Sequence, residues 1–210
     1  MATIGIGHHL WLSWLQIASD HARDAEQHRT RSLKLTRAGD EPGPARTREM
    51  QNAMVAISAS AHAIDGLYGE VKPLISVPPT VQQAWETANA SRHARLCDTF
   101  KAGCNLGNRT NQWPRQFKEL YRHRDRLVHH ALRVEPPVPH PGDPLTYVGQ
   151  DMADYTLESA RRSVDLAYDV ALTTLRHPKA PDLARWARSM GHVPEQLEHL
   201  QTTGRSESAQ

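Results

Sequence analysis

The chain has 210 residues, of which 39% are apolar, and a formal net charge of +2 when its 13 histidines are counted as neutral. This apolar fraction suffices for one core, so we expect one main domain with short appendages. So small a net charge does not by itself indicate a nucleic-acid-binding protein. The N-terminal apolar segment LWLSWLQIA is too short to cross a membrane and lacks the basic start of a signal peptide, so we expect a cytoplasmic protein without a membrane contact.

The first half of the chain predicts three helices. Residues 8–36 form the first, with Leu10, Trp14 and Ile17 on one apolar stripe, and the breaker AGDEPGP follows it. In the second helix, apolar residues recur at spacings of four and three from Met50 to Val71, flanked by small residues that allow close approach of another helix. The third runs from a Thr80 cap to about Leu106. Its inward positions are expected to be Val81, Ala84, Trp85, Ala88, Leu96 and Phe100.

Cys97 and Cys104 are seven residues apart on this third helix. A helical rise of 1.5 Å per residue separates them by about 10 Å, which is too far for a disulfide. We therefore expect two buried, reduced thiols, as is usual in the cytosol.

The second half predicts two further long helices. CNLGNRTNQW is expected to be a loop, and Pro114 to lie in the first turn of the fourth helix. Residues 133–155 contain five prolines and can form neither a helix nor a central strand, and Thr156 starts the fifth helix. The sequence predicts an all-α bundle of four to five helices over residues 1–178, without strands. A short helical appendage, with Leu183 and Trp186 on its apolar face, is expected over 179–200, and a disordered tail over 201–210.

One residue of the fourth helix interrupts its apolar stripe. Arg124 lies between Tyr121 and Leu127, where a buried side chain is expected. A buried, unpaired guanidinium is costly, so Arg124 must pair, reach solvent along its aliphatic stem, or face a polar cleft. Asp125 projects about 100° away around the helix, so it is not an automatic partner and is better placed to contact His129.

Arg124 and His129 together suit cleavage of a phosphodiester. A histidine exchanges protons near neutral pH, and a guanidinium binds and stabilises phosphate oxygens. In RNA the 2′-hydroxyl supplies the nucleophile, so no metal is required. The two residues are five apart, or roughly 140° around a helix, so one helix would separate them. Two copies meeting across a two-fold axis would bring both pairs into one cleft, which favours a homodimer.

The stretch R-D-R-L-V-H, residues 124–129, resembles the Arg-polar-x(3–5)-His motif of the HEPN superfamily of helical nucleotide-binding domains. The resemblance implies a HEPN-like bundle that acts as a dimeric, metal-independent endoribonuclease without a cofactor, in a toxin–antitoxin or phage-defence system. Cleavage would leave a 2′,3′-cyclic phosphate and a 5′-hydroxyl. By position Arg124 and His129 would be catalytic, and Asp125 would be the polar residue that orients them. Members paired with a nucleotidyltransferase antitoxin have a tyrosine where this chain has Ala131, which puts that regulation in doubt, although a partner protein is implied.

The basic residues beside the motif are Arg122, Arg126 and His130, which we expect to contact RNA unless they form only a solvated helix face. Arg124 also has a purely structural alternative, as one half of a salt bridge. Two other classes of protein remain open. One is a non-catalytic helical module that binds nucleotides, nucleic acid or a protein, and the other is a metal-dependent helical-bundle enzyme.

The metal alternative would draw on the remaining histidines. The candidates to join His129 or His130 in such a site are His8, His9, His21, His28 and His62. No strongly predicted helix carries an H-x-x-x-H or E-x-x-H pair, so we expect no metal site.

Overall fold

The computed structural model describes residues 9–128, 137–140, 143–149 and 153–206. Within these ranges the chain is all-α, as predicted, with eight α-helices rather than four or five. The helices are α1 (Leu10–Ala38), α2 (Gly43–Val71), α3 (Pro79–Thr87), α4 (Arg92–Gly103), α5 (Arg109–Val128), α6 (Leu157–Arg176), α7 (Pro181–Ser189) and α8 (Val193–Ser206). None of the described helices is long and apolar enough to cross a membrane.

Helices α1 and α2 form a long antiparallel hairpin that provides much of the core. Gly39, in the left-handed region at φ 78°, ends α1, and its N–H bonds to the carbonyls of Leu35 and Thr36. The small residues predicted along α2 do permit close packing. A Cβ placed on Gly66 would lie 3.2 Å from the Cβ of Trp11, so the two backbones nearly touch there.

The buried face of α1 differs from the predicted one. Leu10, Trp14 and Ile17, which form the predicted apolar stripe, are 65%, 38% and 36% exposed, so this stripe is not the buried face of the helix. A neighbouring stripe with the same spacing is buried instead: Trp11, Leu15, Ala18, Ala22 and Ala25. Its alanines are small enough for the close approach to α2, which the stripe of larger side chains would not allow.

The predicted third helix is two helices. The chain breaks between α3 and α4, where Asn89 adopts φ 45°, and no residue of α3 is buried. Of its predicted inward positions, Ala84 and Ala88 are exposed. Cys97 and Cys104 are free and buried, as predicted, and burial raises the pKa of each thiol to about 11.

Helix α5 begins earlier than predicted, so Pro114 lies inside it rather than in its first turn. A fully buried Trp113 holds this part of the helix in place. The carboxylate of Asp169 accepts hydrogen bonds from Trp113 Nε1 at 2.8 Å and Arg109 Nε at 2.7 Å. These tertiary contacts offset the roughly 3 kcal/mol that a proline costs inside a helix.

The proline-rich segment contains a two-stranded antiparallel hairpin, which the sequence did not predict. Strands β1 (Val138–His140) and β2 (Asp143–Val148) pair Val138 with Val148 and Pro139 with Tyr147. Each strand has a single neighbour in this sheet, so prolines are tolerated in both. These residues form neither a helix nor a central strand, as predicted. The prediction that the chain contains no strands at all is wrong.

The C-terminal helices pack against the bundle. The Thr156 side chain caps α6 by accepting a hydrogen bond from the Ser159 N–H, as its position predicted. Leu183 of α7 and Leu197 of α8 are buried in the common core. Helix α8 continues to Ser206, so the prediction of a disordered tail from residue 201 is wrong as far as 206, and residues 207–210 lie outside the described part.

A buried ion-pair cluster joins three helices. Arg29 of α1 donates to both carboxylate oxygens of Glu49 on α2, at 2.8 and 2.7 Å, and also to Glu158 on α6. Arg29 and Glu49 are 8% and 1% exposed. Burial lowers the pKa of Arg29, but the two carboxylates outweigh burial, and the pKa is raised overall. Glu49 also accepts from the Leu157 N–H at 3.2 Å, which fixes the start of α6.

Candidate functional site

A ladder of aromatic rings runs along the inner face of α5. Trp113 and Phe117 lie 5.8 Å apart, and Phe117 and Tyr121 lie 6.5 Å apart with nearly parallel planes. All three side chains are buried. Their four-residue spacing puts them on one face, and the next position on that face belongs to the stretch that contains Arg124.

Arg124 lies at the end of this ladder. Its guanidinium carbon is 5.1 Å from the centre of the Tyr121 ring, which is a cation–π contact. Its Nη1 lies 3.3 Å from Oδ1 of Asp125, so these neighbours do pair, although they project to different sides of the helix. The Arg124 side chain remains 23% exposed, and that of Asp125 is 58% exposed. The arginine in the apolar stripe is therefore packed on an aromatic face and open to solvent on one side.

Asp65 of α2 fixes the ring beneath Arg124. Its Oδ1 accepts the Tyr121 hydroxyl at 2.7 Å and lies 3.0 Å from the guanidinium nitrogens of Arg92 on α4. Burial and the Asp65 carboxylate both raise the pKa of Tyr121, so the phenol stays protonated and donates. Residues of α2, α4 and α5 therefore fix the Tyr121 ring against which Arg124 packs.

His93 is a titratable neighbour that the sequence did not predict. Its ring stacks near that of Tyr121, with centroids 6.5 Å apart, and its Nε2 is 3.1 Å from the Ser91 hydroxyl. Burial lowers the pKa of His93 and the Lys118 charge lowers it further, while Asp125 opposes them. His93 lies near the start of α4, beside α5, because the chain breaks between α3 and α4. In the sequence, the short stretch N-A-S before α4 is the signal that indicates this break.

His129 and His130 lie outside the described residues, which end in this region at Val128. The structure therefore describes Arg124 and Asp125 of the predicted catalytic set, and the position of His129 relative to them stays a prediction. Arg122 and Arg126, predicted to contact RNA, are both exposed. Arg126 forms an ion pair with Asp154, which partly neutralises its charge.

His123 lies between Arg122 and Arg124 in the sequence but is buried in the bundle. It is 5% exposed and packs edge-to-face against Tyr155, whose hydroxyl donates to the His123 carbonyl at 3.1 Å. Burial lowers the pKa of His123, and the Arg122 charge lowers it further. The last residues of the proline-rich segment, Asp154 and Tyr155, therefore contact α5 at Arg126 and His123.

Three of the histidines considered as metal ligands contact other side chains. His9 Nδ1 lies 2.9 Å from Glu70, His21 Nδ1 lies 2.8 Å from Asn52, and His62 stacks on Trp14 at 4.9 Å. Among the residues that the structure describes, no three His, Cys, Asp or Glu side chains are grouped as metal ligands would be. His8 lies outside that part of the chain.

No protein-family model, curated protein or solved structure shows significant similarity to this chain.

Proposed function

We propose that the protein is a metal-independent endoribonuclease of the HEPN type, which cleaves RNA in a cleft between two copies of the chain. The observation that carries the proposal is the half-buried guanidinium of Arg124. It is held on the Tyr121 ring, and the Arg124 side chain is open to solvent on one side. A guanidinium in this setting is pre-organised to bind phosphate oxygens and to stabilise the charge that develops on them.

In the proposed reaction the 2′-hydroxyl of the substrate attacks the adjacent phosphorus. His129 of the motif accepts the proton of this hydroxyl or donates one to the leaving 5′-oxygen, and water or His129 of the other copy makes the remaining transfer. O5′ thus gains the proton that O2′ loses, while Arg124 holds the non-bridging oxygens. The P–O5′ bond breaks as the new P–O2′ bond forms, which gives a 2′,3′-cyclic phosphate and a 5′-hydroxyl. Asp125, 3.3 Å from Arg124, would orient the guanidinium as well as the imidazole that the motif predicts beside it. Arg122, Arg126 and His130 would contact the flanking RNA backbone.

A toxin or phage-defence role, with an antitoxin or other partner protein, follows from the HEPN resemblance and is part of the same proposal. Cytoplasmic location is the corresponding expectation.

The test is incubation of the purified protein with a mixed RNA pool in excess EDTA, followed by chemical analysis of the ends. We expect cyclic phosphate at the 3′ ends and free 5′-hydroxyls, and no products with His129→Ala. Cleavage that requires an added metal ion, or that leaves 5′-phosphates, would overturn the mechanism.

The dimeric cleft has its own test. Arg124→Ala and His129→Ala are each expected to be inactive alone, but mixed dimers should regain activity, because each copy supplies the residue that the other lacks. If subunit exchange occurs and no activity returns, the shared cleft is wrong.

One observation favours a second candidate, a non-catalytic module that binds nucleic acid. The Asp125 carboxylate already contacts Arg124 and reduces the charge available to a phosphate. Such a module would bind RNA with strong salt dependence and leave it intact.

A further inference from the structure

A second feature shares Arg92 with the contacts that support the Arg124 site. A cleft of about 610 Å³ opens between the end of α2 and the α3–α4 pair. We name it the α2–α4 cleft. Its lining includes three cations and two aromatic side chains: Lys72, Arg92, Arg95, Tyr68 and Trp85. Its volume falls within the range of ordinary ligand sites.

Two of the three cations of this cleft form no ion pair with the described residues. Arg92 pairs with Asp65, but among the described residues no carboxylate lies at ion-pair distance from Lys72 or Arg95, and both side chains are exposed. Lys72 Nζ lies 5.7 Å from the centre of the Tyr68 ring, so one cation is held against the cleft wall. Two exposed cations of one recess that form no ion pair with described residues favour a ligand with more than one negative charge.

The aromatic side chains of the cleft are fixed and half-buried. Trp85 Nε1 donates to Asp98 at 2.9 Å, and the Tyr68 ring packs edge-on against Phe100 at 6.3 Å. Rings held in this way can stack with a base at little entropic cost, and such stacking contributes about 1–3 kcal/mol per base. Cations together with aromatic rings in one groove are typical of single-strand nucleic-acid binding.

Another cavity, of about 300 Å³, lies between α1 and α6 and also contains two arginines. There Arg161 pairs with Glu26, and Arg23 lies 3.3 Å from Asp20. Because its positive charges have carboxylate partners, that cavity does not select for a polyanion. The α2–α4 cleft is therefore the one of the two whose charge fits nucleic acid.

The cleft is also connected to the Arg124 site. Arg92 lines it and binds Asp65, which accepts the hydroxyl of the ring that supports Arg124. We propose that the α2–α4 cleft binds single-stranded RNA that flanks the phosphate held by Arg124, with a base stacked on Trp85 or Tyr68 and the backbone contacted by Lys72 and Arg95. This inference rests on the proposed ribonuclease function, but it is tested by binding alone.

The experiment measures binding of a fluorescein-labelled, single-stranded 2′-O-methyl RNA oligonucleotide in EDTA by fluorescence anisotropy, at several salt concentrations. The probe has no free 2′-hydroxyl at internal positions, so it cannot be cleaved by the proposed reaction. The double variant Lys72→Gln/Arg95→Gln is compared with Arg31→Gln/Lys34→Gln, which removes the same charge from exposed positions on α1. Trp85→Leu is compared with Trp85→Phe, which keeps a ring for stacking.

We expect the cleft double variant to raise Kd on the order of tenfold and to reduce the slope of log K against log salt by about 1.4, while the α1 double variant shows neither change. Trp85→Leu should weaken binding by about 5- to 100-fold, and Trp85→Phe much less. Equal affinities for wild type and the cleft double variant would overturn the proposal. So would equal affinity for a duplex of the same sequence, because stacking requires an unpaired base.

A parallel assay with unmodified RNA separates the two hypotheses. Cleft-dependent binding without cleavage would overturn the ribonuclease function and support the cleft. Cleavage with binding unaffected by the cleft variants would support the ribonuclease and overturn the cleft.

Discussion

The guanidinium carbon of Arg124 lies 5.1 Å from the centre of the Tyr121 ring, and the hydroxyl of that ring donates to Asp65 on another helix. The arginine is thus stacked on a side chain whose own orientation is fixed. A cation–π contact contributes about 0.5–2 kcal/mol, the higher value applying where water is excluded. This contact gives Arg124 one preferred position before any phosphate binds.

Replacing Tyr121 tests whether the ring positions Arg124. Tyr121→Leu removes the aromatic face, and we expect RNA cleavage to slow by roughly 2- to 30-fold, the rate equivalent of the cation–π energy. Tyr121→Phe keeps the face and loses only the bond to Asp65, which retains Arg92 as a partner. It should remain within a few-fold of wild type. Single-turnover cleavage rates of folded variants give the comparison, and equal losses in both would assign the effect to the hydroxyl instead.

Asp125→Asn separates binding from turnover. Removal of the carboxylate 3.3 Å from Arg124 frees the guanidinium and takes away a negative charge that repels phosphate. We expect tighter binding of an uncleavable oligonucleotide but slower cleavage, because the group that orients the site is lost. Anisotropy and cleavage rates measure the two effects. Faster cleavage by Asp125→Asn would show that Asp125 only restrains Arg124 and has no positioning role.

The buried pair of Arg29 and Glu49 gives a prediction about stability. Glu49→Ala leaves the Arg29 charge with only Glu158, whose side chain is 48% exposed, and should lower the free energy of unfolding by about 3–5 kcal/mol. The double variant Arg29→Met/Glu49→Leu should lose much less, since neither charge remains buried. As a surface control, Arg185→Ala should cost about 0.5 kcal/mol or less. Urea unfolding measures all three, and a loss below about 1 kcal/mol for Glu49→Ala would contradict the account.

His123 predicts a pH dependence of stability. Burial, and then the Arg122 charge, lower its pKa below the ordinary value of 6.5, so the unfolded chain binds a proton more readily than the folded one. Stability from this group is therefore complete above about pH 6.5 and is lost as pH falls through the lower, folded pKa. His123→Phe keeps an aromatic contact with Tyr155 and should flatten the profile below about pH 6.5.

The control is His192→Gln, at an exposed position of the chain. It should leave the profile as in wild type, apart from small changes in overall stability. If His123→Phe and wild type lose stability in parallel below about pH 6.5, His123 is not the group responsible. Some slope should persist in every variant, because the pKa of His93 is lowered in the same direction.

Much of the helical pattern was predictable, because apolar spacing and caps act locally. Thr156 at the start of α6 is an example, since its capping bond reaches only to Ser159. The sequence of α1 carries two apolar stripes with the same spacing, one with Trp11 and one with Trp14, and local spacing does not decide which of them is buried. The choice between Trp14 and Trp11 as the buried tryptophan depends on how closely α2 approaches, which is a tertiary property.

The candidate site was predictable only in part for the same reason. Arg124 was identified because a charge interrupts an apolar stripe, which is a feature of one helix. Asp65, Arg92 and His93 come from two other helices and carry no local signal. Their proximity to Tyr121 follows from the packing of α2, α4 and α5, and the break before α4 is needed for it.

The most direct measurement is the rate of RNA cleavage in excess EDTA by wild type and by Arg124→Ala at equal concentration, with circular dichroism to show that both are folded. The account predicts cleavage by wild type and a rate at least about 100-fold lower for Arg124→Ala, as for the loss of a main oxyanion-stabilising group. Cleavage by Arg124→Ala at the wild-type rate would contradict it, because the guanidinium on the Tyr121 ring would then have no part in the reaction.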